Sequence, residues 1–181
     1  CKVGLIGLGA IGRMVAERLK DFDVEVYACD PFIPEVTAKE LGVTLVNMET
    51  IFSECDIISN HLANKPELKN VFNAKLFKKM KKHSTFINTG RGAQVAEYSL
   101  ALSLLLHPSR TFVADVLKKE FFPYINPLFW VPNAILTPHI AGSIGNEPQR
   151  MAYYMIEEMK SFLSSSPTRF EVTLEALERM A

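Results

Sequence analysis

The sequence predicts a doubly wound α/β domain, a parallel sheet with helices on both faces, and three observations carry that expectation. Apolar runs of strand length alternate with segments of helical spacing along the 181-residue chain. The connections are short, with no internal repeat and no low-complexity stretch. The glycine-rich and polar stretches follow the ends of apolar runs, at the edge where open parallel sheets take up ligands.

Composition fits this class. Apolar residues make up 48% of the chain, and 20 Lys and Arg balance 20 Asp and Glu. That pattern suits a globular domain with a substantial core and speaks against a nucleic-acid surface. The lysines at 75, 78, 79, 81 and 82 read as a solvated helix face, with Leu76, Phe77 and Met80 turned inward. No apolar run reaches membrane-spanning length, and no secretory leader precedes the first strand. Cys1, Cys29 and Cys55 show neither metal nor redox spacing and read as buried free thiols of a reducing, cytoplasmic compartment. No metal site is expected.

In chain order, Val3 to Ile6 is a buried strand that ends in Gly7-Leu8-Gly9-Ala10-Ile11-Gly12. Arg13 to Lys20 continues as a helix, with Ile11, Met14, Val15 and Leu19 read as one inward face. Val24 to Ala28 is the second strand and stops at Asp30. Pro31 and Pro34 mark a turn before a helix from Glu35 to Leu41, which Gly42 closes. Val43 to Val46 is a strand, and Asn47 caps a helix from Met48 to Glu54. Asp56 to Ser59 is a strand opening into Asn60-His61-Leu62, and Asn73 caps the lysine-bearing helix. Ser84 to Asn88 runs into Thr89-Gly90-Arg91-Gly92, and Gln94 to Leu106 reads as a leucine-rich helix. Thr111 to Val116 carries Asp115, Leu117 to Pro132 reads as loop, and Ala134 to Leu136 leads to Thr137-Pro138-His139. Glu147 to Leu163 closes the pattern with Met151, Tyr154, Met155, Met159, Phe162 and Leu163 at helical spacing, a core or interface stripe. His83, His107 and Trp130 read as structural, the tryptophan as the anchor of its loop.

The first 30 residues hold the sharpest chemical signal. Gly-X-Gly-X-X-Gly between a strand and a helix, with a carboxylate at the end of the next strand, is the dinucleotide-binding pattern in its required context. Gly7 allows a tight turn, Gly9 lets the backbone approach a pyrophosphate, and Gly12 lets the helix pack on the strand. The amides near Ala10 and Ile11 offer hydrogen bonds and a partial positive charge to phosphate. Asp30 is placed to accept from the ribose hydroxyls and to repel a 2′-phosphate, so NAD is expected over NADP.

With these motifs in register, the chain resembles the NAD-binding domain of the D-isomer-specific 2-hydroxyacid dehydrogenases, the phosphoglycerate and glyoxylate/hydroxypyruvate reductase groups among them. The resemblance runs from Lys2 to about Leu163. It rests on Gly7 to Arg13, Cys29-Asp30-Pro31, Ile87 to Gly92, Ala114-Asp115-Val116 and Leu136 to Gly142. It implies an NAD-dependent oxidoreductase acting on the CH–OH group of small D-2-hydroxy acids, with Arg91, Glu120 and His139 as the catalytic residues. Arg91 would hold a substrate carboxylate, and His139, oriented by Glu120, would move the proton. It also implies cofactor contacts at Ala10, Ile11, Asp30, His61, Leu62, Thr89, Gly90, Arg91, Asp115, His139 and Gly142, beside the three turn glycines. The family's usual proline after the glutamate is Phe121 here, and Ala63 stands where it tends to have another proline.

The resemblance further implies a homodimer and a two-domain whole enzyme. On that reading residues 1–164 form the NAD-binding domain, and 165–181 a tail returning to a substrate domain that lies elsewhere on a longer chain. This stretch alone is then expected to bind NAD and to turn over poorly or not at all. An alternative from another class is an NAD(H)-sensing module that binds protein partners, like the corepressors that share this domain and its three polar residues.

Overall fold

The computed structural model describes residues 1–120, 123–174 and 177. Seven parallel strands form one sheet: β1 (Lys2–Ile6), β2 (Glu25–Cys29), β3 (Thr44–Leu45), β4 (Ile57–Asn60), β5 (Thr85–Asn88), β6 (Thr111–Ala114) and β7 (Ala134–Leu136). Their order in space is β3-β2-β1-β4-β5-β6-β7. The chain winds outward from β1 through β2 to β3, then returns to lay β4 on the other side of β1. That reversal opens a crevice at the C-terminal ends of β1 and β4, where doubly wound sheets bind ligands. The helices are α1 (Ala10–Leu19), α2 (Glu35–Leu41), α3 (Met48–Glu54), α4 (Ala74–Lys79), α5 (Glu97–Leu106) and α6 (Glu147–Leu163). The expected fold class is the one observed. The chain forms two compact units, Cys1–Pro138 and the segment from His139 onward.

Strand alternation gives the sheet two cores. Val3 and Leu5 of β1 join Ala16, Val26, Ala28 and Leu41 on one face, while Ile6 joins a phenylalanine-rich cluster on the other. There Phe52, Phe72, Phe77, Phe86 and Phe112 are buried, with Phe72 and Phe86 edge to face at 5.2 Å between centroids. Local signals end the elements where chemistry demands. Asn47 accepts from the Thr50 amide at 2.8 Å to cap α3, Asn73 accepts from Lys75 to cap α4, and Gly42 closes α2 at φ 71°. Lys79 pairs with Glu49 and Lys81 with Asp56, so part of the lysine face is neutralised within the fold.

Four expectations need correction. The inward face of α1 is Gly12 and Ala16, with Val15 and Leu19 half-buried and Ile11 and Met14 exposed. The helix sits too close to the sheet for larger side chains to come between them. Of the three cysteines only Cys55 is buried, its thiol pushed up to about 11 by desolvation; Cys29 is half-buried and Cys1 exposed. The leucine-rich helix starts at Glu97 rather than Gln94, because residues 92–94 form a 3-10 turn and Val95 bridges to Phe72. The ring of Trp130 is exposed, and Leu128 and Val131 anchor the loop instead, although the indole N–H does donate to the Tyr124 carbonyl at 2.8 Å.

In the second unit α6 is amphipathic in sequence, yet none of its residues is buried. After the helix, Glu158 accepts from the amides of Arg169 and Phe170 at 3.0 and 2.9 Å, folding the following residues back on it. No helix among the described residues is long and apolar enough to cross a membrane.

Candidate functional site

The glycine turn is built by steric necessity at two of its three glycines. Gly7 has φ 91°, and a Cβ there would stand 2.7 Å from the His61 carbonyl oxygen. A Cβ on Gly12 would collide with the carbonyl oxygen of Gly7, so glycine is what lets α1 lie on the end of β1. Gly9 differs. It has ordinary backbone angles, φ −68° and ψ −163°, and a Cβ on it would meet nothing within 4 Å. The protein's own packing gives no reason for glycine there. Open space in front of a helix N-terminus is what a close-approaching phosphate needs. The amides of Ala10 and Ile11 border that space, since the first intrahelical bond runs from the Arg13 amide to the Gly9 carbonyl at 3.0 Å.

Asp30 follows β2 and faces the same turn. One carboxylate oxygen accepts from the Leu8 amide at 2.7 Å and the other from the Phe32 amide at 2.8 Å. The side chain therefore holds the turn as well as bordering it, and each oxygen keeps a second acceptor position. The donor set fits a dinucleotide: amides and a helix end for the pyrophosphate, a fixed carboxylate for the ribose hydroxyls.

Beyond β4 the chain passes His61 and Leu62. The His61 amide donates to the Ile6 carbonyl at 2.7 Å, and its ring nitrogen Nε2 lies 3.0 Å from the Ser59 hydroxyl. Burial pushes the imidazole below its ordinary range. Beyond β5 come Thr89, Gly90 and Arg91. The guanidinium of Arg91 is exposed and donates to the Gly90 carbonyl at 2.9 Å. Beyond β6 comes Asp115, buried, its carboxylate accepting from the Thr137 hydroxyl at 2.5 Å. All these residues stand at the C-terminal edge of the sheet, as expected.

The structure adds polar residues that the motif reading passed over. Asn60 and Asn88 are register partners on β4 and β5, both fully buried, and Asn60 Nδ2 donates to Asn88 Oδ1 at 2.8 Å and to Gln94 Oε1 at 2.7 Å. A Cβ on Gly90 would stand 2.6 Å from Asn60 Nδ2, which accounts for that glycine. Glu97, also buried, accepts from the Lys118 amide at 2.8 Å, and a Cβ on Gly92 would collide with the Leu117 carbonyl. The Arg91 loop and the stretch leading to Glu120 are thereby packed together. Glu120 itself is exposed, and Phe121 lies outside the described residues. The available signal was polarity out of place: an amide ending an apolar strand, a glutamine where a helix core should begin.

His139 opens the second unit. It has φ 57°, a left-handed conformation that few residues other than glycine adopt, and Ser143 at 56° and Gly145 at 61° share it. Gly142 lies between them, with nothing within 4 Å of a Cβ position. Among the described residues no group of three or more His, Cys, Asp or Glu gathers as metal ligands would.

A parallel sheet reversing between β1 and β4, with this turn and carboxylate at the reversal, defines a dinucleotide-binding domain of the Rossmann class. The family model described as "D-isomer specific 2-hydroxyacid dehydrogenase, NAD binding domain" matches residues 1–141, and the chain belongs to that family. It is 31% identical over 175 residues to D-3-phosphoglycerate dehydrogenase of Archaeoglobus fulgidus, covering 97% of this chain and 33% of that protein. To the Synechocystis sp. protein of the same name it is 33% identical over 175 residues, covering 97% and 31%. The chain thus spans about a third of the length of these curated relatives. Among solved structures, D-lactate dehydrogenase with NAD+ from Lactobacillus jensenii superposes with a TM-score of 0.81 at 28% identity, covering 95% of this chain and 55% of that one. A formate dehydrogenase from Granulicella gives 0.80 at 29%, covering 93% and 45%. NAD is the cofactor of the domain.

Proposed function

We propose that this domain works within a longer polypeptide as the NAD-binding half of an oxidoreductase. Its substrate would be a small D-2-hydroxy acid or the matching 2-oxo acid. The observation that carries the reading is the placement of Arg91. An exposed guanidinium stands on a braced loop, at the same sheet edge as the Gly7–Gly12 turn and Asp115. A planar cation there suits a carboxylate, through two parallel hydrogen bonds. When bound, NAD supplies the hydride chemistry. Ala10 and Ile11 hold the pyrophosphate end, and Asp30 the adenosine ribose. His61, Leu62, Thr89, Gly90 and Arg91 would contact the cofactor, Asp115 would lie on the carboxamide side of its nicotinamide, and His139 and Gly142 would complete the contacts. His139 gives or takes the hydroxyl proton, with Glu120 as its orienting carboxylate.

The same reading takes the whole enzyme as a cytoplasmic homodimer. Its free thiols and the exposed apolar side chains of α6 support that part.

The test uses the complete polypeptide with NADH and a panel of glyoxylate, pyruvate, hydroxypyruvate and 3-phosphohydroxypyruvate. At least one should be reduced to the D-2-hydroxy acid. Arg91→Ala should lower kcat/KM by about a hundredfold or more, at least about tenfold beyond its effect on NADH affinity. No NADH oxidation with any 2-oxo acid would overturn the reading.

A further inference from the structure

We infer that Asn60, Asn88 and Gln94 act together as a positioning device that ties the cofactor-side loop after β4 to the loop presenting Arg91; this rests on the function proposed above. The three amides are fully buried, at the C-terminal ends of adjacent strands and in the turn beyond. Their hydrogen bonds run in both directions. Gln94 Nε2 donates to the Ala63 carbonyl at 2.7 Å and to the Leu62 carbonyl at 3.5 Å, and Asn60 Oδ1 accepts from the Leu62 amide at 3.0 Å, so both side chains hold the loop after β4. On the other side Asn88 Oδ1 accepts from the Gly90 amide at 3.1 Å, and Asn88 Nδ2 donates to the Arg91 carbonyl at 3.3 Å. Asn60 Nδ2 joins the halves by donating to both Asn88 and Gln94.

Folding alone does not call for such an arrangement. Strand ends facing a phenylalanine-rich core are ordinarily finished with apolar side chains, and a buried amide is tolerated only when its bonds are made. Here every buried side-chain nitrogen and oxygen among the described residues has a partner. Linked amides in a low-dielectric interior fix one arrangement rather than a family of them. What they fix is two irregular loops, one bordering the cofactor crevice and one carrying the substrate-binding cation. Movement of either loop strains the bonds that hold the other, so the distance between cofactor and carboxylate sites is set from below.

Gln94→Met keeps the volume and removes the bonds to Asn60, Leu62 and Ala63. In the complete polypeptide it is expected to raise the Kd for NADH roughly threefold or more and to lower kcat/KM for the 2-oxo acid roughly tenfold or more. The decisive readout is the same change in an Arg91→Lys background. A residue acting through the placement of Arg91 should there cost less than about twofold in kcat/KM, whereas a general folding defect would cost the same in both backgrounds. Asn60→Leu with Gln94→Met removes the central pair and leaves the Leu62 amide and the Ala63 carbonyl without their partners; it should melt below the wild type and show the same dependence of kcat/KM on the Arg91 background. If Gln94→Met does not fold, Gln94→Asn, too short to span both contacts, takes its place. Equal losses in the two Arg91 backgrounds would overturn the inference, as would kcat/KM within twofold of the wild type. A wild type that reduces no 2-oxo acid would sink the proposed function instead, and unchanged NADH affinity in Gln94→Met would then decide against the device.

Discussion

The glycine turn after β1 and the Arg91 loop after β5 stand at the same sheet edge but are held by different physics. At the turn the backbone does the work: Gly7 adopts a positive φ, Gly12 touches the Gly7 carbonyl, and one carboxylate, Asp30, bonds two amides. At the Arg91 loop buried side chains do it, through Asn60, Asn88, Gln94 and Glu97. A site fixed by backbone sterics tolerates almost no change at a few positions. A site fixed by a side-chain network spreads its tolerance over several residues and can be tuned.

The largest expected effect separates glycines within the turn itself. Gly12→Ala places a methyl group against a carbonyl oxygen that neither β1 nor α1 can withdraw, and should cost about 3 kcal/mol of stability or more. Gly9→Ala meets open space at ordinary backbone angles and should cost no more than about 1 kcal/mol, the loss expected from a poorer helix cap. It should nonetheless weaken NADH binding roughly tenfold, about 1.4 kcal/mol, by filling the pyrophosphate berth. Urea denaturation and NADH titration of the two variants check this. Matching losses of stability in both would erase the distinction between a packing glycine and a ligand glycine.

This difference also explains what was legible in the sequence. Gly7, Gly9, Gly12 and Asp30 act through local geometry, and local geometry has a fixed spacing along the chain. The alternation of strands and helices was readable for the same reason, and α2, α3, β7 and α6 begin and end where caps and turn residues say they should. Asn60 and Gln94 lie 34 residues apart and meet only because β4 and β5 are paired in register. Periodicity even misled at Gln94: the apolar pattern absorbed it into a helix, while the glutamine side chain was recruited by the network and the helix began at Glu97. On the inward face of α1, side-chain size is no guide to burial. Where a helix must lie close to a strand, the buried residues are the smallest ones, Gly12 and Ala16.

Glu97 sharpens the comparison from the network side. It is buried, and its carboxylate takes the Lys118 amide at the start of the stretch that leads to Glu120. Glu97→Leu leaves that amide without its acceptor and should cost about 1–3 kcal/mol. Glu97→Gln keeps a carbonyl oxygen in place and should recover most of the loss, which no substitution at Gly12 could do. Denaturant midpoints of the two variants, taken at unchanged m-value, measure the difference. If Gln fares no better than Leu, the hydrogen bond is not what holds the segment.

The smallest effect concerns His61, which belongs to both regions: its backbone packs on Gly7 and its ring faces Ser59. Burial lowers its pKa from the ordinary 6.5, so the folded chain gives up the proton more readily than the unfolded one. Above 6.5 both states are neutral at this site and the group does not bias folding. As pH falls below 6.5 the unfolded chain takes up a proton that the folded chain declines, and stability is lost with a slope of at most about 1.4 kcal/mol per pH unit. Thermal melts from about pH 7.5 down to about pH 5 should therefore show a decline that His61→Asn makes shallower. An identical slope in the variant would assign the decline to other groups, and would mean that the turn's packing on the His61 backbone is indifferent to the charge of its ring.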